Sequence, residues 1–209
     1  MNAEHPMTYV LLAGAYFLGS IPFGLLLTRA FSADDPRRHG SGNIGATNVA
    51  RVGGLGLGLA TLAGDMLKGL VPVLLALALA PADALSGSYP VALALLAFFG
   101  HLFPLYTGFR GGGKGVATAL GGFVLIAPMG VLAAVSVFVI FACLSRRVSV
   151  GSIAAALVLP FAVHLSIGVW AASAGAAVVS AFIFIRHAGN IKRLIAGTEP
   201  VFSIGRKKE

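Results

Sequence analysis

Long apolar runs dominate the chain and are joined by short polar segments. Seven runs, at roughly 7–28, 55–81, 89–107, 114–128, 129–145, 152–167 and 168–186, are candidate membrane helices. A span needs about 20 mostly apolar residues. The fourth and sixth runs are short for that length. The fourth and fifth meet at Pro128-Met129-Gly130, a helix-stopping pattern, and the last two are parted only by Gly168. The first run follows Met1 to Pro6, which carry Glu4 and no Lys or Arg, and it ends at Arg29. A signal peptide has a positive n-region, so this run is expected to be a retained helix. The expected fold class is all-α, a polytopic integral membrane protein with seven transmembrane helices in one domain, 1–209.

Composition strengthens that reading. The chain is 57% hydrophobic and 11% charged, against about 25% charged in soluble domains. That is too much apolar surface for one globular core, and too hydrophobic for disorder. Small residues, as in Gly14–Gly19 and Gly53–Gly58, suit close helix packing in lipid. The single cysteine, Cys143, lies in an apolar run and reads as a packing residue.

Charge then adds an orientation. The formal net charge is +8. Without aromatic-interleaved basic runs, nucleic acid is not an expected partner; anionic lipid headgroups and phosphate-bearing substrates are. Every Lys and Arg except Lys68 falls in loop 29–54, loop 108–114, loop 146–151 or the tail 186–209. Loop 82–88 and the turns at 128–130 and 167–168 hold none. The positive-inside rule then places the N-terminus outside and the C-terminus in the cytoplasm. Lys68 lies in the second run three residues after Asp65. The two share a helix face and read as a structural ion pair, or as support for a site.

Four polar segments on the basic side carry candidate chemistry. The first, Arg38-His39-Gly40-Ser41-Gly42-Asn43-Ile44-Gly45-Ala46-Thr47-Asn48-Val49-Ala50-Arg51, contains G-x-G-x-x-G. A dinucleotide fold needs a strand before it, and a membrane helix stands there instead. Glycines still let backbone N–H groups gather into an anion nest, and Arg51 adds a fork for phosphate. The second segment, Gly108 to Lys114, fits GxxxxGK, but position 115 is Gly where a P-loop needs Ser or Thr. It reads as a phosphate cradle with Lys114 at a helix N-terminus and not as an ATPase. The third, Arg147-Val148-Ser149-Val150-Gly151-Ser152, offers Ser152 as a cap or anion ligand. In the tail, His187 and Asn190 are three residues apart, so a short helix places them on one side, and Glu199 balances local positive charge. His101 and His164 lie in apolar runs and read as core histidines; His5 and His39 say little. No cluster has metal-ligand spacing. Two phosphate cradles suggest two phosphates.

Together these segments resemble the bacterial acyl-phosphate:glycerol-3-phosphate acyltransferases. GSGNIGATN, GGGKGVAT and HAGNIKRLIAGTE match in order and spacing, and the resemblance runs from Gly19-Ser20-Ile21-Pro22-Phe23-Gly24 to Gly197-Thr198-Glu199. The chain departs from the family at Arg110, commonly Lys, in a glycine run longer by one, and at Ala188 and Gly189, more usually Arg and Glu. The resemblance implies seven helices with cytoplasmic motifs. It also implies a reaction in which the sn-1 hydroxyl of glycerol 3-phosphate attacks a long-chain acyl phosphate, giving lysophosphatidic acid and phosphate, the first committed step of phospholipid synthesis in the cell inner membrane. By motif position, Ser41, Arg51, Lys114, Ser152, His187 and Asn190 line the phosphate and glycerol 3-phosphate sites, with Ser41, Lys114, His187 and Asn190 as the catalytic set. Backbone amides of Gly111, Gly112 and Gly113, with Asn43, Thr47 and Asn48, help hold the acyl phosphate.

An acyl phosphate is already an activated anhydride, so the site is expected to need no cofactor, neither ATP nor CoA. Cations and amides can stabilise the leaving phosphate and the oxyanion. The hydroxyl proton goes to His187 or to a substrate phosphate oxygen. The H-x-x-x-x-D motif of other acyltransferases is absent at all 5 histidines. A membrane transporter of phosphate or an organophosphate is the alternative, and only Asp65 and Lys68 speak for it, because transporter sites lie near the midplane.

Overall fold

The computed structural model describes residues 6–79 and 88–202; loop 82–87, His5 and the basic end of the tail lie outside them. The described residues form ten α-helices and one short 3-10 turn, with no strand among them. They are α1 (Pro6–Gly19), α2 (Phe23–Ala30), α3 (Ala46–Gly53), α4 (Leu55–Leu79), α5 (Tyr89–Leu102), α6 (Val116–Val124), α7 (Pro128–Ser145), α8 (Val148–Ile167), α9 (Trp170–Arg186) and α10 (Ala188–Ile195).

Local sequence sets the breaks. Pro22 lacks an N–H and stops α1 from running on, so α1 and α2 meet at a 49° bend. Pro104 ends α5 two residues early, since the residue before proline avoids helical geometry. Pro128 opens α7, where a missing N–H costs nothing. Gly168 closes α8 with φ 66 and donates its N–H to His164 O at 2.8 Å. His187 marks a 55° bend between α9 and α10.

By length and apolar character, four segments can each cross a bilayer: Leu55–Leu79, Tyr89–Thr107, Pro128–Ser145 and Val148–Ile167. The bent pairs α1–α2 and α9–α10 raise that to six. All seven apolar runs read from the sequence contain helix, but the fourth differs from its expected extent. Of 114–128 only Val116–Val124 form α6, and Pro128 already belongs to α7. Nine helical residues rise about 14 Å, half of a hydrocarbon core of about 30 Å. The backbone before α6 is irregular, and Gly112, Gly113 and Gly115 within it are buried. Irregular backbone at membrane depth is tolerated only where protein or trapped water satisfies its polar groups. Glycine provides the room for this: a Cβ on Gly112 would strike the Leu102 backbone.

The core lies between α4, α5, α6, α8 and α9, around Val73, Phe98, Phe123, Val163 and Val179. Small residues let backbones approach. A side chain on Gly19 of α1 would collide with the Ala97 backbone of α5, and one on Gly69 of α4 with Thr118 of α6. The outer surface of α7 and α8 is the reverse of a soluble protein's, with Leu132, Ile140, Leu144, Phe161 and Leu165 all exposed. Contiguous apolar surface of this kind belongs against lipid.

Candidate active site

The basic segments meet at one end of the bundle, around a single buried carboxylate. Glu199 leaves α10 through a turn in which its N–H donates to Arg193 O at 3.1 Å. Its Oε1 accepts from Ser149 Oγ and from Asn190 Nδ2, both at 2.6 Å, and its Oε2 from Arg193 Nε at 2.7 Å. Arg147 Nε donates to the Glu199 carbonyl at 3.1 Å. Asn190 is thereby oriented with its Oδ1 outward, and that oxygen accepts from Lys114 Nζ at 2.6 Å. The second, third and last basic segments are thus joined in one network.

Burial would raise the Glu199 carboxyl, but the hydrogen bonds from Ser149, Asn190 and Arg193 outweigh it and hold its pKa below the usual range. Burial, opposed by the Glu199 charge and assisted by Arg193, Arg51 and Arg186, lowers the Lys114 ammonium to about 8. Lys114 feels three arginines, Arg51, Arg186 and Arg193, against one carboxylate, Glu199, so the site carries surplus positive charge and favours an anion.

Arg186, the last residue of α9, donates through Nε to Gly113 O at 3.0 Å and through its second nitrogen to Gly112 O. It supplies the polar partners that irregular backbone needs at this depth. The Gly111–Lys114 segment is therefore tied down by its carbonyls, while Lys114 and the free N–H groups of the first turn of α6 remain at its other edge.

His187 is buried, and its Nδ1 lies 2.8 Å from Ile183 O. A carbonyl only accepts, so Nδ1 carries the proton and Nε2 keeps a lone pair. Burial, with the Lys114 charge next in size, lowers its pKa to about 4. The imidazole is neutral at physiological pH and offers a hydrogen-bond acceptor.

The first glycine loop is organised from within by Asn48. Its Oδ1 accepts from Ser41 N at 3.0 Å, and its Nδ2 lies within 3.0 Å of the carbonyls of Pro36, His39 and Asn43. Asn43 Oδ1 accepts from Gly45 N at 2.8 Å. Gly40 and Gly42 have φ of 60 and 68, which lets the chain fold over Asn48. The Ser41 hydroxyl is exposed, Thr47 sits half-buried in the first turn of α3, and Arg51 is reached by the charges of Glu199 and Arg193. Arg37, held bidentate by Asp35, stands near the second glycine loop: its Cδ is 3.8 Å from where a Cβ on Gly111 would lie. Beside them a groove of about 570 Å³ is lined by Ile21, Pro22, Leu25, Leu26, Arg29 and Arg37, with Tyr106 and Thr107.

Of the residues expected from sequence, Lys114 and Asn190 are in direct contact, and His187 and Arg51 lie within electrostatic reach of Lys114. Ser152 turns its hydroxyl back to Val148 O at 3.0 Å, and Ser149, one turn earlier, reaches the network instead. Sequence reasoning missed Ser149, Arg186 and Arg193 as site residues. It also gave Glu199 too small a part. The available signal was that the tail 186–209 carries six basic residues and only two acids, Glu199 and Glu209.

Comparison with known proteins covers nearly the whole chain. The family model for glycerol-3-phosphate acyltransferase matches residues 9–197. The glycerol-3-phosphate acyltransferase of Syntrophotalea carbinolica is 48% identical over 194 residues, covering 93% of this chain and 97% of that protein. That of Trichlorobacter lovleyi is 47% identical over 191 residues, covering 91% and 95%. Among solved structures, PlsY (YgiH), an integral membrane glycerol 3-phosphate acyltransferase crystallised in its glycerol 3-phosphate form, superposes with a TM-score of 0.87 at 34% identity, covering 94% of this chain and 96% of that one. The lysophosphatidic acid form of the same enzyme gives 0.84.

Proposed function

The chain belongs to the glycerol-3-phosphate acyltransferase family, and from that premise we propose that its donor is a long-chain acyl phosphate, its acceptor the sn-1 hydroxyl of glycerol 3-phosphate, and its products lysophosphatidic acid and inorganic phosphate. The observation that carries this reading is the meeting of Lys114, Asn190 and Glu199 from separate segments beside a glycine loop. The acyl phosphate needs a cationic, amide-rich cradle and an apolar approach from the membrane. Lys114 and the amides about Gly111, Gly112 and Gly113 supply the cradle. Arg51, Ser41 and the first glycine loop face the second phosphate, with Asn43, Thr47 and Asn48 shaping that loop. Ser152 acts through the helix turn it shares with Ser149.

In the reaction the glycerol hydroxyl oxygen attacks the acyl carbonyl carbon, the bond between that carbon and the oxygen bridging to phosphorus breaks, and inorganic phosphate leaves with that oxygen while the hydroxyl proton is taken up by a phosphate oxygen. Lys114 and the glycine-loop amides neutralise charge on the leaving phosphate and the oxyanion. His187 Nε2 accepts a hydrogen bond from the glycerol backbone and orients it. With a pKa of about 4 the imidazole is a weak base, so the proton passes to a phosphate oxygen of the substrate. His187→Ala is expected to raise KM for glycerol 3-phosphate at least 10-fold while kcat falls less, by initial rates of labelled lysophosphatidate formation. A large loss in kcat with KM unchanged would make His187 the base.

We further infer one domain over residues 1–209 with seven helical crossings, N-terminus outside, and the site at the cytoplasmic face of the cell inner membrane. The start of α6 and the end of α7 both adjoin the Glu199 network, through Lys114 and through Arg147. This supports an out-and-back path in which short α6 is extended by buried glycine backbone. Transport is disfavoured because Asp65 and Lys68, the residues that suggested it, are paired with each other. Purified protein in lipid should release one phosphate per lysophosphatidate formed; phosphate flux without acyl transfer would reverse the reading.

A further inference from the structure

Three buried ionisable side chains have no part in that chemistry: Asp65 and Lys68 of α4 and His101 of α5, 4%, 2% and 4% exposed. Lys68 Nζ pairs with Asp65 Oδ1 at 2.9 Å and donates to Ile21 O, at the α1–α2 break, at 3.0 Å. On its other side Asp65 Oδ1 lies 3.5 Å from His101 Nδ1. His101 in turn forms the floor of the second glycine loop. Its carbonyl accepts from Gly113 N at 3.2 Å, and its ring fills the space a Gly113 side chain would need.

A buried ionic cluster is a poor way to stabilise a helix bundle. Apolar residues of the same shape commonly do as well or better, and ionisable groups at membrane depth mark function. This cluster touches the protein's catalytic region at one place, the Gly113 peptide immediately before Lys114. Arg186 holds the carbonyls of Gly112 and Gly113, and His101 holds the Gly113 N–H. Lys68 also donates to the carbonyl of Ile21, which lines the neighbouring groove together with Arg37.

We propose that Asp65 and Lys68 are positioning residues that hold His101, and through it the Gly112–Lys114 backbone, in the register that cradles the donor phosphate. This rests on the reading of Gly111–Lys114 as a phosphate cradle. A displacement of about 1 Å at a reacting group can cost 100-fold, which sets the scale of the effect.

The test is the double variant Asp65→Asn/Lys68→Met, which removes both charges together and leaves neither unpaired. Thermal unfolding in detergent should stay close to that of the parent enzyme. Its kcat/KM for acyl phosphate should fall about 10–100-fold, and competitive inhibition by inorganic phosphate should weaken by about the same factor. KM for glycerol 3-phosphate should change by less than about 3-fold. Unchanged donor kinetics and phosphate inhibition would overturn the proposal. So would a parallel loss in donor and acceptor parameters that tracks the folded fraction. Should the double variant fail to fold, His101→Gln carries the same expectation. If the parent enzyme does not use acyl phosphate, the functional reading fails separately; direct binding of inorganic phosphate to parent and variant then decides the positioning role.

Discussion

Lys114→Ala is expected to lower kcat/KM for acyl transfer by about 10²–10³-fold, or about 3–4 kcal/mol, the usual cost of removing one preorganised donor from a developing anion. The ammonium is held half-buried by Asn190 Oδ1 at 2.6 Å. Its charge therefore needs no reorganisation when the phosphate leaves. Labelled lysophosphatidate formation in membranes measures the loss, and a fully active variant would remove the cradle assignment. The same residue fixes a pH dependence. With its pKa lowered to about 8, Lys114 is cationic below that value and neutral above it. So kcat/KM should be flat from about pH 7, above the second phosphate ionisation at about 6, to about pH 8 and fall with unit slope above it. Lys114→Arg should abolish that fall whatever its absolute rate, since guanidinium stays charged.

Glu199→Ala is expected to cost about 100-fold in activity and to lower the unfolding temperature, because one carboxylate organises three side chains. Ser149, Asn190 and Arg193 all donate to it. Without it Asn190 is free to turn, and the oxygen that holds Lys114 is no longer directed at it. Hydrogen bonds to a charged group contribute about 1.5–3 kcal/mol each, so both activity and stability respond. Glu199→Gln should retain more stability than Glu199→Ala while leaving Arg193 uncompensated. The pH sign follows from the depressed carboxyl. Its stabilisation is present above the unfolded carboxylate value of about 4.3 and is lost as pH falls through the lower folded value. Acid destabilisation should therefore be weaker in Glu199→Gln than in the parent protein, by thermal melts across pH 3–6.

The helices and the one-sided chemistry were legible because each rests on a local signal. Apolar length marked α4, α5, α7, α8 and α9, and Pro128 and Gly168 marked breaks, whereas Pro22 and Pro104 lay inside the runs 7–28 and 89–107 and their breaks went unread. The glycine-rich loops and Lys114 stood out by composition. The short α6 did not, because hydropathy cannot tell buried irregular backbone from helix: Gly111 to Gly115 are accommodated by contacts with Arg186 and His101, which are distant in sequence. Ser149 and Ser152 are three apart on one helix, and only the position of Glu199 decides which hydroxyl enters the network. Asn48 looked like a ligand donor because its amide is polar and near glycines, yet those glycines fold around it. Asp65 and Lys68 were visible as a pair; that His101 completes their link to Gly113 depends on how α4 and α5 pack.

The most direct measurement gives purified protein glycerol 3-phosphate together with one donor at a time: acyl phosphate, acyl-CoA or acyl-carrier protein. Lysophosphatidate should form with acyl phosphate alone and be accompanied by an equal amount of inorganic phosphate. Turnover with acyl-CoA or acyl-carrier protein at a comparable rate, or none with acyl phosphate, would contradict a site built around a leaving phosphate.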